Sequence, residues 1–88
     1  MIENTKNNKH DLILKSRNKL EMTGINDVLS YDEYEIIVQT SETSLSIDGK
    51  NLKIEKFDSE KEELTVNGLI NGIFYFTKDM KKKKSLFK

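Results

Sequence analysis

Apolar residues in the middle of this chain recur at every second position, and that spacing constrains the fold more than any other feature. Residues 34–40 set Tyr34, Ile36, Val38 and Thr40 on one face, and residues 44–48 send Leu45 and Ile47 inward between polar neighbours. Residues 52–57 and 63–67 repeat the arrangement. A period of two marks a half-buried strand, because successive side chains of a strand point to opposite faces. The runs are rich in Ile, Val, Thr and aromatic side chains, which fit a pleated surface. Alanine, the best helix former, is absent from the chain. The expectation is an all-β protein.

Eighty-eight residues supply one small domain. Folding a chain of this size buries about 64% of its extended surface, enough for one thin core and not for a deep cavity with its own lid. Strands are expected near residues 11–15, 19–24, 27–31, 34–40, 44–48, 51–57, 62–67 and 69–77. Asp48-Gly49 and Asn67-Gly68 are dipeptides that tolerate positive φ and read as hairpin turns, with Thr23-Gly24 a weaker case. Asp32-Glu33, Ser41-Glu42-Thr43 and Asp58-Ser59-Glu60-Lys61 read as polar connectors.

One signature recurs: leucine, any residue, an aliphatic residue or Met, a polar residue, glycine. It stands at Leu20-Glu21-Met22-Thr23-Gly24, Leu45-Ser46-Ile47-Asp48-Gly49 and Leu64-Thr65-Val66-Asn67-Gly68. The unequal intervals favour an antiparallel meander of hairpins, sandwich-like or a short β-roll, over a solenoid of constant period. The expected organisation is a flexible arm over residues 1–10, a β domain over 11–77 and a basic tail over 78–88.

No enzyme template fits. There is no cysteine, so neither a thiolate nucleophile nor a Cys-based zinc site can form. The single histidine, His10, falls in the arm and reads as a solvated side chain. The carboxylates of Asp32, Glu33 and Glu35, and of Glu60, Glu62 and Glu63, read as solvated turns, since acid–base work needs a pocket that separates two pKa values. No phosphate-binding glycine loop occurs. No catalytic residue, metal ligand or cofactor is therefore expected. The N-terminus lacks the apolar core of a signal peptide, and the longest apolar stretch falls far short of a membrane span.

The formal net charge of zero hides an asymmetry. Residues 78–88 carry six lysines and one acid, while the rest of the chain is acidic. An acidic body with a basic tail suits nucleic acid poorly, since dedicated binders carry a basic folded surface. The run Lys81, Lys82, Lys83 and Lys84, followed by Leu86 and Phe87, has three readings: a solvated tail, a weak hold on an anionic membrane surface, or docking to an acidic partner, including the body of a second copy. The strand near residues 69–77 is apolar on both faces, with Phe74 and Phe76 to one side and Ile73 and Tyr75 to the other. Such a strand is central or covered by another layer or subunit. Leu69, Ile70, Ile73, Phe74, Tyr75 and Phe76 are therefore the candidate interface of a homodimer, and a base-stacking platform is the rival reading of its aromatic residues.

Several stretches carry a family likeness: Asn18-Lys19-Leu20-Glu21-Met22-Thr23-Gly24-Ile25, Val28 and Tyr31-Asp32-Glu33-Tyr34. Further on come Leu45-Ser46-Ile47-Asp48-Gly49-Lys50-Asn51-Leu52-Lys53-Ile54, Leu64-Thr65-Val66-Asn67-Gly68-Leu69-Ile70, Ile73-Phe74-Tyr75 and, more loosely, Leu86-Phe87-Lys88. On these residues the segment over 10–77 resembles the YabP/YqfC family of small sporulation proteins of endospore-forming Firmicutes, and within it the YabP branch. The resemblance implies a role late in spore formation in the mother-cell cytoplasm, at or near the forespore surface, in coat or envelope assembly. It brings no catalytic motif. The resulting expectation is a non-enzymatic protein that self-associates and binds other sporulation or coat proteins. The alternative is a small β-sheet nucleic-acid-binding regulator with a basic tail.

Overall fold

The computed structural model describes residues 9–77. Among these residues there are six strands and no helix: β1 (Leu12–Lys15), β2 (Lys19–Thr23), β3 (Asp27–Tyr31), β4 (Glu35–Gln39), β5 (Ser44–Asp58) and β6 (Glu63–Phe76). All pair antiparallel in one open sheet of order β1-β2-β6-β5-β4-β3. The all-β reading holds. The tail residues Lys81, Lys82, Lys83, Lys84, Leu86 and Phe87 lie outside the described residues, as does most of the expected arm.

The eight expected strands are six because Asp48-Gly49 and Asn67-Gly68 do not turn the chain. They sit inside β5 and β6, which run on through them. A fifteen-residue strand would extend about 50 Å. The two ends of β5 nevertheless come together. Gln39, the partner of Ser44, accepts from Asn26 N at 2.7 Å, and Glu62, beside the end of β5, accepts from Ile25 N at 3.0 Å. Both long strands therefore fold back at their middles, and the open sheet folds over into two layers that share one core. The first layer holds β1, β2, residues 63–67 of β6 and 53–58 of β5. The second holds residues 69–76 of β6, 44–50 of β5, β4 and β3.

The fold-back is made by irregularities in the β5–β6 ladder. The register slips between Asp48 and Gly49 and again between Lys50 and Lys53, and extra residues of this kind kink a strand and increase its twist. Asn51 takes φ 55 and Gly68 φ 127. At Gly49 the carbonyl oxygen of Leu69 comes within 1.9 Å of where a Cβ would stand, so only glycine admits the crossing. Leu52 and Ile70, both 2% exposed, fill the inside of the corner.

The reversals themselves are built by polar side chains. Asp32 Oδ1 accepts from the amides of Tyr34 and Glu35, Thr40 Oγ1 from those of Glu42 and Thr43, and Asp58 Oδ1 from those of Glu60 and Lys61. These are the connectors expected from the sequence, and short Asp and Thr side chains serve there by imitating a backbone turn. Tyr34, expected on the inner face, belongs to a turn and is exposed.

One core joins the layers. Leu20, Met22, Leu64 and Val66 come from the first and Ile36, Val38, Leu45 and Ile47 from the second, with Ile25 in the link between β2 and β3. The recurrent signature has a common structural meaning. Its leucine and the residue two further on are buried in all three copies, and each glycine lies where another stretch of backbone passes closely.

Candidate interaction surface

Because β2 pairs only with residues 63–67 of β6, residues 69–76 have a strand on one side, β5, and none on the other among the described residues. The apolar candidates from the sequence are divided by this geometry. Ile70 is buried at the corner and Ile73 packs against the core. Phe74 is 55% exposed, Tyr75 48% and Leu69 39%, while Phe76 is half-buried. The face assignment holds: Phe74 and Phe76 lie opposite Ser46 and Ser44 on the outer face, and Ile73 and Tyr75 lie opposite Ile47 and Leu45 on the inner one. The inner face needs no second subunit to cover it, since the folded-back first layer does so.

Two polar clasps tie the β1–β2 hairpin to this half of β6. Ser16 (φ 51) and Arg17 (φ 57) take left-handed backbone conformations in the hairpin turn, closed by Asn18 N donating to Lys15 O at 2.9 Å. Arg17 then reaches β6, donating from Nε to the Ile70 carbonyl at 3.2 Å and from Nη2 to Asn71 Oδ1 at 2.8 Å. At the other end His10 bonds Thr23 O through Nδ1 and the Tyr75 hydroxyl through Nε2, both at 2.8 Å. The rings meet edge-on, with centroids 5.7 Å apart. This corrects the expectation of a solvated His10: the ring is half-buried and doubly bonded. Its partner Tyr75 lies 65 residues away, so no local signal could have announced it. Burial pushes the Tyr75 phenol above its ordinary value of 10.0.

Charge divides along the same layers. On the first, Lys15 pairs with Glu21, Lys19 with Glu55 and Lys56 with Glu63 at 3.5–3.8 Å. In the second layer and its turns, residues 25–48 and 71–77 contain six acids and no Lys or Arg, and the lysine of the layer, Lys50, stands at the corner opposite Leu69. A base-stacking platform at Phe74 and Phe76 would thus bring a phosphate backbone against a predominantly acidic surface, the reverse of what such binding requires. Among the described residues no group of three or more His, Cys, Asp or Glu side chains is placed to hold a metal ion, and no helix is long and apolar enough to cross a membrane.

The residues that create this architecture, both fold-backs and both clasps, lie between His10 and Tyr75. The YabP family profile matches residues 6–82, which contain all of them. "Spore protein YabP" of Bacillus subtilis (strain 168) is 31% identical over 67 residues, covering 76% of this chain and 67% of that protein. On both counts the chain belongs to the YabP family.

Proposed function

We propose that this chain is a sporulation protein that works by binding rather than catalysis, late in spore formation in the mother cell, in assembly of the coat or envelope. Membership of the YabP family and similarity to a spore protein support the process. One structural observation supports the mode of action: the half of β6 over residues 69–76 is open on one side, carries no charged residue and exposes Leu69, Phe74 and Tyr75.

Natural sheet edges are usually blunted by charge, proline or bulges. The open half of β5 in the first layer follows that practice with Lys53, Glu55 and Lys56, and Tyr31 Oη accepts from its Ile54 amide at 3.3 Å. Residues 69–76 are blunted only where Arg17 and His10 reach them. An uncharged antiparallel edge is self-complementary about a two-fold axis, because pairing it with its own copy opposes no like charges. A homodimer joined at this edge, presenting its remaining surfaces to other coat or sporulation proteins, is the reading that results.

Sedimentation at micromolar concentration tests it. The wild-type chain is expected at twice the monomer mass, and the pair Leu69→Lys and Phe74→Lys at the monomer mass with its β circular dichroism intact. A wild-type monomer throughout the concentration range overturns the dimer. Normal heat-resistant spores after gene disruption, in a strain without a second family member, overturn the sporulation role.

A further inference from the structure

We propose that the outer face of the second layer is the docking surface for the chain's own lysine-rich segment, residues 78–88. Sheet register places Glu35, Ile37, Ser46, Asp48, Phe74 and Phe76 together on this face. No described layer covers it. Ahead of Asp48, β5 carries only small residues on this face, Ser44 and Ser46, which are 3% and 8% exposed because larger neighbours stand on either side. Phe74 and Phe76 border them on β6 and Ile37 borders Ser46 on β4, so the face is a shallow apolar trough with a serine floor.

Its charge is unbalanced at a definite place. Glu35 and Asp48 are direct cross-strand partners, and like charges so placed repel. Both carboxylates converge on one hydroxyl, Ser46 Oγ, at 3.0 Å to Glu35 Oε2 and 3.1 Å to Asp48 Oδ1, and that hydroxyl has a single proton to donate. Among the described residues, every ion pair lies on the other layer. A cation at Glu35 and Asp48 would offset the repulsion.

The chain supplies such cations within reach. Residues 78–88 hold six lysines against one acid, beside Leu86 and Phe87. They follow directly on Thr77, next to Phe76 on the same face. Eleven residues span up to about 36 Å. The four strands of the layer are only about 14 Å across, and Asp48 lies about 13 Å along β5 from Ser44, the partner of Phe76. The lysines can therefore reach the carboxylate pair, and Leu86 and Phe87 the apolar trough.

The inference does not rest on self-association, which sedimentation reads separately. The test compares amide chemical shifts of the full wild-type chain with those of a variant carrying Lys81→Gln, Lys82→Gln, Lys83→Gln and Lys84→Gln. The shifts of Glu35, Ile37, Ser46, Asp48 and Phe74 are expected to change while those of β2 and residues 63–67 stay. Glu35→Gln with Asp48→Asn should remove most of that difference. Raising ionic strength to roughly 0.5 M should do the same in the wild type, by screening. Changes confined to residues next to Thr77 overturn the proposal. A difference that fades on dilution assigns the segment to a second copy and overturns docking within one chain.

Discussion

His10 and Tyr75 meet at 2.8 Å across 65 residues of sequence, joining the segment that leads into β1 to the open edge of β6. The Thr23 carbonyl can only accept, so His10 Nδ1 donates to it. In the neutral ring Nε2 then accepts the Tyr75 proton, and one imidazole links the chain entry, the end of β2 and β6.

Removing that link should loosen one side of the sandwich. His10→Ala is expected to lower stability by about 1–2 kcal/mol and Tyr75→Phe by about 0.5–1 kcal/mol, the range for partly exposed hydrogen bonds. Urea unfolding of both single variants and the double variant should give a coupling of about 0.5–1 kcal/mol. Strict additivity would mean that the bond contributes nothing.

The raised pKa of Tyr75 fixes the sign of an alkaline effect. Desolvation keeps the phenol protonated in the folded chain at a pH where the unfolded chain has begun to lose its proton. Its contribution is full below about pH 10 and declines as pH rises through the folded value. The difference in urea midpoint between wild type and Tyr75→Phe should therefore shrink above pH 10. A difference that widens there contradicts the burial of this group.

The glycines at the fold-back should differ sharply in what they tolerate. At Gly49 an added Cβ would meet the Leu69 carbonyl oxygen at 1.9 Å, a backbone atom that cannot move without undoing the corner. Gly49→Ala is expected to cost about 3 kcal/mol or more, at the upper end for single substitutions. At Gly72 the obstacle is the Phe74 ring at 2.7 Å, which can swing away, so Gly72→Ala should cost less than about 1 kcal/mol. Thermal unfolding of the two variants decides whether the corner is as tight as described.

Ile36 and Ile37 are neighbours with opposite fates. Ile36 is fully buried opposite Ile47, whereas Ile37 lies on the outer face opposite Ser46. Ile36→Ala should cost about 2–5 kcal/mol, as a buried truncation does. Ile37→Ala should cost less than about 1 kcal/mol, and chemical denaturation measures both. Equal losses would mean that a further layer covers the outer face.

Short-range pattern settled much of this molecule. Residues with a two-residue repeat became strands, and Leu20, Met22, Leu45, Ile47, Leu64 and Val66 went inward as their alternation requires. The division of Phe74 and Phe76 from Ile73 and Tyr75 was legible for the same reason, since a strand leaves no other choice of face. The connectors at Asp32-Glu33, Ser41-Glu42-Thr43 and Asp58-Ser59-Glu60-Lys61 were legible too, as polar breaks between apolar runs, whereas the side-chain bonds of Asp32, Thr40 and Asp58 that build them are seen only in the structure. Asp48-Gly49 and Asn67-Gly68 misled, because such a dipeptide states only which backbone angles are permitted. Whether the chain then reverses or bends depends on the strand running beside it, and here each long strand bends against the other. The clasp of His10 and the meeting of Glu35 with Asp48 arise only when distant segments are brought together. Alternation could decide which side chains leave water, but only the folding of the sheet over itself could decide what they meet.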